Sequence, residues 1–478
     1  MTASLAPSHD ERMARRLAAS AQRGFDGDAD RARFHDWFAD VAQRIYARTE
    51  PVPLDALTGW VRDPGTGDIR HNSNRFFTIE GVDVTLPSGP VTHWDQPIIN
   101  QPEVGILGIL IREIDGVPHL LMQAKVEPGN RNGVQLAPTV QATRSNYTRV
   151  HGGRQVPYLE YFRVPAVRCV VSDRRQSEQA AWFLRKRNRN MVVETTGDVP
   201  VQDGFRWLTL GQVHELLAVE DLINMDARTV LSCLPAAGVT VPEAFTSPAS
   251  AFAVTLRRSL SPQAGARHTT TEILSWMTEV RTATDLVVTR TPVNMLREWR
   301  STSERISHHT GRYFSVIGVE VVAGGREVAR WCQPMIAPVG VGVIGLVVRD
   351  IGGVLHALMQ ACPEPGYVDV AELAPTVQCI PGSYDVLPGA ARPPFLDLVL
   401  GAAPEQIRFD TTLSEEGGRF FHALNRCRIV EADIDLERPD FRWVAVHQLA
   451  DLVQHGHYLN VQARSMLACL YSLARGGR

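Results

Sequence analysis

Ionisable and amide side chains cluster where two predicted strands end, and together they could carry out proton transfer. The residues of this group are Lys125, Glu127, Asn130, Thr143, Arg144, Asn146 and Tyr147. A Lys beside a Glu suits proton transfer next to an oxyanion, and the guanidinium fork of an Arg suits a diphosphate. If the two strand ends abut, these groups share one rim. A solvated loop with a surface salt bridge is the alternative, and the spacing alone does not decide between the two.

The chain contains one sequence unit twice. LAPTVQ begins at Leu136 and again at Leu373, which is 237 residues later. At the same displacement, GILGILIREIDGVPHLLMQA from Gly105 returns as GVIGLVVRDIGGVLHALMQA from Gly342. One displacement over long segments indicates duplication of a unit of about 200 residues, the size of a domain. The predicted boundaries are a disordered or partly helical segment at 1–25, repeat one at 26–240, a linker at 241–268 and repeat two at 269–478.

The order of predicted elements mixes strands and helices within each repeat. The apolar spacing predicts a helix over 31–48, and two apolar runs interrupted by Asp115 and Gly116 predict a hairpin. The remaining predicted elements of repeat one are a strand at 134–142, a helix at 174–189, strands at 190–195 and 205–210, and two helices to about residue 235. This pattern indicates an α+β fold.

Composition excludes several classes of protein. With 44% hydrophobic residues and a net charge of −3, the chain can bury two cores and offers no general basic surface for nucleic acid. No apolar run is long enough to span a bilayer, and the N-terminal residues lack the apolar core of a signal peptide. Seven cysteines without a CxxC pair favour reduced thiols and a cytoplasmic location.

Motifs for several common chemistries are missing from the sequence. There is no GxGxxG, no GxxxxGK[ST] and no GxSxG, so nicotinamide chemistry, P-loop phosphoryl transfer and a serine hydrolase elbow have no motif. The pairs His308-His309 and His455, His457 lack an evident companion carboxylate or Cys in the sequence. The sequence therefore predicts no metal site and no cofactor.

Three long segments resemble one enzyme family. They are QPIINQPEVGILGILIREIDGVPHLLMQAKVEPGN, LAPTVQATRSNYTRVHGG and QSEQAAWFLRKRNRNMVVE. They look like the NDP-hexose 2,3-dehydratases of deoxysugar and antibiotic biosynthesis, and the resemblance runs from about residue 30 to the C-terminus and includes the duplication.

The resemblance carries expectations of its own. It implies an α+β fold made of two tandem Nudix-hydrolase-like domains, each a mixed sheet flanked by helices. It also implies a dTDP-linked 4-keto-6-deoxyhexose as substrate, a homodimer, no metal, and coupling to an NADPH-dependent 3-ketoreductase that consumes the product. Neither nucleic acid nor membrane is an expected partner. SEQAAW at 177–182 and SEEGGR at 414–419 keep only part of the acidic box with which Nudix hydrolases hold Mg²⁺.

The expected reaction assigns roles to the polar cluster. A ketone at C4 acidifies the C3 proton, so a base can form an enolate, and loss of the C2 hydroxyl then leads to a 3,4-diketone. The assignment is Glu127 or Tyr147 for proton transfer, Lys125 for the enolate oxygen, and Arg144 with Asn130 and Asn146 for the diphosphate or sugar. A metal-dependent pyrophosphohydrolase and a non-catalytic sugar-nucleotide-binding protein are the alternatives.

Residues matched between the repeats complete the candidate site. The further substrate-binding candidates are Trp60, His71, Arg75, Gln141, Trp299, Arg312, Gln378 and Tyr384. Each of the matched Trp, His and Arg residues has a structural alternative, as core packing, a hydrogen-bonded histidine or an ion pair. Lys125 corresponds to Cys362 and Arg144 to Pro381, whereas Glu127 corresponds to Glu364. Because repeat two lacks these cations, we expect catalysis in repeat one.

Overall fold

Each repeat contains a large mixed sheet with the same strand order. The computed structural model describes residues 9–144, 155–163, 169–235, 250–324 and 328–475, so Asn146 and Tyr147 lie outside the described residues. In repeat one the order is β10-β11-β6-β7-β12, with β8 on β7 and β9 on β6. The strands are β6 (Gly105–Ile114), β7 (Val117–Val126), β8 (Val134–Ala137), β9 (Val140–Ala142), β10 (Cys169–Ser177), β11 (Arg187–Thr195) and β12 (Phe205–Thr209).

Repeat two reproduces this sheet as β22-β23-β18-β19-β24, with β20 on β19 and β21 on β18. Its strands are β18 (Gly342–Ile351), β19 (Val354–Pro363), β20 (Ala371–Ala374), β21 (Val377–Cys379), β22 (Ile407–Ser414), β23 (Leu424–Glu431) and β24 (Phe441–Ala445). In both sheets one central pair is parallel, β6 with β11 and β18 with β23. The α+β class predicted from the sequence is confirmed.

Two smaller sheets exchange a strand between the repeats. Thr49 of repeat one pairs with Val321, and Thr289 at the start of repeat two pairs with Asp83. The strands are β1 (Tyr46–Val52), β2 (Trp60–Arg62), β3 (Ile69–His71), β4 (Thr78–Thr85), β5 (His93–Asn100), β13 (Val287–Thr291), β14 (Trp299–Ser301), β15 (Arg305–His308), β16 (Phe314–Gly324) and β17 (Arg330–Pro338). The first strand of each repeat therefore completes a sheet of the other.

Helices cover the large sheets. They are α1 (His9–Ala21), α2 (Gly27–Arg44), α3 (Glu160–Arg163), α4 (Leu210–Leu217), α5 (Met225–Ser232), α6 (Ala251–Ser259), α7 (Thr270–Ala283), α8 (Leu396–Leu400), α9 (Val446–Leu452) and α10 (Val461–Ser472). Within the segment expected to be disordered or partly helical, α1 buries Met13 and Leu17 against the core of repeat one. Within the predicted linker, α6 buries Phe252 and Leu256 in the core of repeat two. None of the helices among the described residues is long and apolar enough to cross a membrane.

The helix predicted over 174–189 is wrong. This segment contains the end of β10, a turn and the start of β11, and the two strands pair antiparallel. Its charges interact across the strands, since the Arg189 guanidinium donates to both Asp173 oxygens at 2.7 and 2.6 Å. Cross-strand charge pairs of this kind stabilise a sheet, and in the sequence they mimic the cationic end of a helix.

The LAPTVQ segment divides into two strands at its threonine. The predicted single strand at 134–142 is β8 and β9, which pair with different partners on either side of Pro138 and Thr139. The Thr139 hydroxyl accepts from the Leu110 amide at 2.9 Å and donates to the Leu121 carbonyl. Thr376 makes the same two bonds in repeat two. The threonine thus satisfies backbone groups where β6 and β7 separate, which turns β9 toward the edge of a cleft.

The repeats contact each other through backbone hydrogen bonds at an EPG turn that occurs in both, at 127–129 and 364–366. The Gly129 amide donates to the Gly417 carbonyl at 2.7 Å, and the His422 amide donates to the Gly129 carbonyl at 2.9 Å. In the reciprocal contact, the Arg185 amide of repeat one donates to the Gly366 carbonyl at 2.7 Å. Only glycine fits, because a Cβ on Gly129 would lie 1.9 Å from the Phe420 carbonyl oxygen. We call this pair of contacts the EPG clasp.

Two buried arginines cross the same interface. Arg228 on α5 donates to the Ser465 hydroxyl at 2.6 Å and to the Ser414 carbonyl, both in repeat two. Arg464 on α10 makes the reciprocal bonds to repeat one. Bonds from a buried guanidinium to neutral carbonyls are charge-assisted and costly to leave unpaired, so they fix how the two repeats sit against each other.

The clasp generates a stability prediction. Gly129→Ala should lower the free energy of unfolding by about 1–3 kcal/mol, because the added methyl group forces the Phe420 backbone to move. Chemical denaturation measures the effect. Gly389→Ala is the control, since a Cβ there meets no atom within 4 Å. Equal stability of the two variants would contradict the close approach at Gly129.

Candidate active site

A polar cleft lies at the ends of β7 and β9, with an empty volume of about 620 Å³ that includes its open mouth. Its polar lining from repeat one is Gln101, Lys125, Glu127, Gln141, Thr143, Glu178, Lys186, Asn188 and Asp226. Repeat two contributes Glu416, Gly418 and Arg419. The cleft therefore belongs to both repeats, and the EPG clasp is what brings the second set of residues to it.

Glu127 is held by a chain of side-chain hydrogen bonds. Its residue is 5% exposed, and the Gln141 amide donates to Glu127 Oε1 at 2.8 Å. The Asn224 side-chain amide donates in turn to Gln141 Oε1 at 3.0 Å, while its own Oδ1 caps α5 by accepting from the Ala227 backbone amide at 2.8 Å. A carboxylate fixed in this way is pre-oriented for proton transfer.

Lys125 lies beside this carboxylate. Lys125 lies near the end of β7 and Glu127 directly follows the strand, and Lys125 Nζ is 3.9 Å from Glu127 Oε1. The ammonium also donates to the Gln141 carbonyl at 3.2 Å. An ammonium next to a buried carboxylate is the pairing that stabilises an oxyanion formed when the carboxylate removes a proton.

Three further carboxyls line the cleft, and we call them the carboxyl cluster: Glu178, Asp226 and Glu416. Burial raises the pKa of Glu178. Burial, followed by the charges of Glu178 and Glu416, holds the pKa of Asp226 well above its usual value. Burial, followed by the charge of Glu127, raises the pKa of Glu416 to about 7. Although Asp226 lies in the first turn of α5, where the helix dipole favours an anion, burial outweighs that effect.

Two more cations balance these acids. Burial lowers the pKa of Lys186 to about 8, and its ammonium donates to the Glu103 carbonyl. Arg419 comes from repeat two, donates to Gln101 Oε1 at 3.3 Å and lies 4.3 Å from the ring centre of Phe77. With Lys125, the cleft holds three cationic side chains facing four carboxyls, a set suited to proton transfer and to anionic substrate groups.

Repeat two keeps the scaffold of this site and loses its charges. Gln378 donates to Glu364 Oε1 at 2.9 Å, and Asn460 donates to Gln378 at 2.8 Å, as in repeat one. The three cations of the first cleft correspond to Cys362, Ala423 and Trp182. Tyr367 takes the place of Asn130 and is 6% exposed. Burial raises the pKa of Glu364 to about 7, and a thiol, Cys362, stands where Lys125 stands in repeat one.

The structure brings together some of the residues predicted from the sequence. Lys125, Glu127, Gln141 and Thr143 line the cleft. Asn130 lies behind it in the EPG turn and donates to the Gly133 carbonyl at 2.9 Å, and Arg144 is exposed at the rim. In the second site, Gln378 contacts Glu364, and the pKa of the neighbouring Tyr384 is raised by burial.

The predicted residues of the small sheets lie apart from the cleft. Trp60 donates to the Cys332 carbonyl at 2.7 Å, and Trp299 donates to the Asp95 carbonyl at 2.7 Å, each across the repeat boundary. Their rings pack edge to face on His71 and His308. Such contacts match the structural alternative for these residues. The other two candidates are Arg75, which is exposed, and Arg312, whose guanidinium lies 3.4 Å from Asp385.

The structure gives His308 and His309 the companion carboxylate that the sequence did not reveal. Ligand atoms of Glu298, His308 and His309 lie within 4.8 Å of one another on the small sheet of repeat two, partly exposed to solvent. Among the described residues, no other three His, Cys, Asp or Glu side chains bring their ligand atoms this close together. No three carboxyls of the cleft approach one another this closely in the part of the chain that the structure describes.

Comparison with known proteins identifies the family. A family model described as NDP-hexose 2,3-dehydratase matches residues 31–234 and 270–470. The chain belongs to the NDP-hexose 2,3-dehydratase family. It is 48% identical over 467 residues to a dTDP-4-dehydro-6-deoxy-alpha-D-glucopyranose 2,3-dehydratase of Saccharopolyspora spinosa, covering 97% of this chain and 96% of the relative. A protein of the same name from Streptomyces violaceoruber is 48% identical over 456 residues, covering 94% and 98%.

Sequence reasoning missed four charged residues in this family member's cleft: Lys186, Asp226, Glu416 and Arg419. None of the four lies at the two strand ends where the sequence placed the polar cluster. Glu416 and Arg419 come from repeat two. The signal that could have found them is the comparison of repeats, since they correspond to Ala423, Gln462, Gln179 and Trp182. At all four positions, one repeat carries a charge and the other does not.

Proposed function

We propose that this member of the NDP-hexose 2,3-dehydratase family removes water from a dTDP-linked 4-keto-6-deoxyhexose in the cleft of repeat one. The relatives are named for this reaction on the dTDP sugar. The observation that carries the assignment to repeat one is the difference between the two sites. Lys125 and Glu127 lie 3.9 Å apart in one cleft, whereas Glu364 has a thiol, Cys362, at the matching position.

The roles follow from the chemistry of the substrate. Glu127 removes the C3 proton, which the C4 ketone acidifies, and Lys125 stabilises the enolate oxygen at C4. The enolate electrons then form the C2–C3 double bond as the C2 hydroxyl leaves, and the resulting enol tautomerises to the 3,4-diketo-2,6-dideoxy sugar. Gln141 and Asn224 orient Glu127 throughout. No redox change occurs, so the reaction needs no nicotinamide. Tyr147, outside the described residues, remains the second candidate for proton transfer.

Metal independence is part of the proposal. Three cationic side chains already offset the carboxyls, and burial raises the pKa of Asp226 and of Glu178, which favours their protonated forms. A protonated carboxyl is a poor ligand for Mg²⁺. The alternative, a metal-dependent pyrophosphohydrolase, would use the same four carboxyls to bind Mg²⁺ and activate water.

Wider features of the proposal come from the family resemblance. We assign each repeat a Nudix-like fold, with catalysis in repeat one (26–240) and a second or vestigial sugar-nucleotide pocket in repeat two (269–478). Seven cysteines without a CxxC pair favour a cytoplasmic location. The diketone product is reactive, so we expect an NADPH-dependent 3-ketoreductase to consume it.

The protein is also proposed to form a homodimer. The apolar helix faces that suggested this in the sequence are used within the chain, since Phe34 and Trp276 pack into the cores of their own repeats. The proposal therefore depends on the resemblance. Light scattering at micromolar concentration should give twice the mass of the chain, and a monomeric mass would contradict it.

Product analysis tests the reaction. Incubation with dTDP-4-keto-6-deoxyglucose should consume the substrate at the same rate with and without EDTA, and mass spectrometry should detect loss of one water from the sugar nucleotide. The metal-dependent hydrolase predicts release of dTMP that EDTA suppresses. Binding without turnover would indicate a sugar-nucleotide-binding protein.

A matched set of variants tests the choice of repeat. Glu127→Gln or Lys125→Ala should lower kcat by about 10²-fold or more, as expected for loss of a catalytic group. Glu364→Gln removes the corresponding carboxyl of repeat two and should change kcat little. The assignment would be reversed if Glu364→Gln abolished turnover while the two repeat-one variants kept it.

A further inference from the structure

The carboxyl cluster differs between the two sites in one systematic way. In the cleft of repeat one, Glu178 has Asp226 and Glu416 as neighbours. In repeat two, Glu415 corresponds to Glu178, and Gln462 and Gln179 stand where the two neighbouring acids would be. Gln179 donates to one Glu415 oxygen and Asn425 to the other, so that carboxylate is fully hydrogen-bonded. In repeat two, side-chain amides donate hydrogen bonds to the buried carboxylate and so stabilise it. In the cleft of repeat one, carboxyls stand at the positions that match Gln462 and Gln179.

In repeat one, carboxyls at these positions leave buried carboxyl oxygens without hydrogen-bond partners among the described residues. Glu178 Oε2, Asp226 Oδ1 and Glu416 Oε2 are each buried and accept no hydrogen bond from the described residues. Glu416 is partly exposed as a residue, but its Oε1 is fixed by the Gly418 amide at 3.0 Å while Oε2 is the buried atom. An unsatisfied acid at a cleft costs stability, which points to a functional use.

We propose that Glu416, contributed by repeat two, is the general acid that protonates the departing C2 hydroxyl. The assignment rests on the proposed function, in which Glu127 is the base. Glu178 is a positioning residue, because its charge favours the protonated form of Glu416 before the reaction begins. The active site is thus incomplete in repeat one alone.

Charge coupling links the base to the acid. The charge of Glu127 is, after burial, the largest cause of the raised pKa of Glu416. When Glu127 takes the C3 proton, that charge disappears, so Glu416 becomes a stronger acid as the C2–O bond breaks. An acid with a pKa near 7 and a base that modulates it are suited to act in sequence at neutral pH.

The proton balance closes over one turnover. One proton moves from C3 to Glu127, and one moves from Glu416 to the leaving hydroxyl, which departs as water with its bonding electrons. Tautomerisation of the enol then returns the C3 hydroxyl proton to Glu416 and delivers the Glu127 proton to C2. The protein ends with the protons it started with, and no oxidant or reductant is required.

The experiment separates the two proton transfers. In D₂O, substrate recovered from partial turnover reports exchange at C3, and product formation reports loss of the hydroxyl. Glu416→Gln, which copies Gln179 of repeat one, should keep C3 exchange while dehydration falls by about 10²-fold. Glu127→Gln should lose both. Glu416→Asp retains the acid and should recover part of the dehydration, and thermal unfolding checks that each variant is folded.

The possible outcomes distinguish failure of the role proposed for Glu416 from failure of the function proposed for the cleft. Dehydration at the wild-type rate in Glu416→Gln, or equal loss of exchange and dehydration in a folded variant, would overturn the role of Glu416. If Glu127→Gln also left turnover unchanged, the proposed function of the cleft would fail instead.

A pH profile supplies an independent readout. Wild-type kcat should fall as pH rises through about 7, where Glu416 loses its proton. The residual activity of Glu416→Gln should lack this step. The same cleft also holds Glu127, Glu178, Asp226, Lys125, Lys186 and Arg419. Burial lowers the pKa of Lys186 to about 8, but Lys186 is present in both proteins, so its titration does not account for a step that the variant lacks. Persistence of the step near 7 in Glu416→Gln would contradict the assignment.

Discussion

The close backbone approach in the EPG clasp is the constraint on which the site depends. Gly129 lies so near the Phe420 carbonyl that no side chain fits, and Gly366 lies as near the Phe183 carbonyl. Each EPG turn begins at the glutamate of its own repeat, Glu127 or Glu364. It contacts the segment of the other repeat that follows Glu416 or Glu178. Through this contact, repeat two supplies part of the wall of the repeat-one cleft. The carboxyl of Glu416 and the guanidinium of Arg419 reach the Lys125 cleft only through this arrangement.

Duplication gives the molecule two copies of one scaffold, and charge separates them. Both copies keep the chain of Asn, Gln and Glu hydrogen bonds and the threonine that divides the LAPTVQ strands. Repeat two replaces Lys125 by Cys362 and Asp226 by Gln462. The hydrogen bonds that orient a carboxylate are therefore separable from the charges that set its proton affinity. Both repeats can therefore retain the orienting hydrogen bonds, which stabilise the fold, while only repeat one keeps the buried charges, which cost stability.

Features that depend on residues close in the sequence could be predicted, whereas features that depend on residues far apart in the sequence could not. The repeat, the α+β class and the placement of Lys125 and Glu127 in one polar cluster followed from residues close in the sequence, because both lie where the same predicted strand ends. The segment 174–189 was misassigned as a helix because Arg189 finds Asp173 across a strand pair rather than along a helix. Asp226 and Glu416 were missed because nothing in their local sequence marks contacts made 100 to 300 residues away. A systematic comparison of charges at matched positions would have identified both.

A crystal structure of the Glu127→Gln variant with dTDP-4-keto-6-deoxyglucose would show directly whether one cleft, built by both repeats, carries out the dehydration. The sugar ring should lie in the repeat-one cleft, with C3 about 3–3.5 Å from the side chain of residue 127, the separation of a near-attack geometry. The C4 oxygen should face Lys125, and the C2 hydroxyl should face Glu416. A sugar ring bound at Glu364, with the repeat-one cleft holding none of the substrate, would contradict the account.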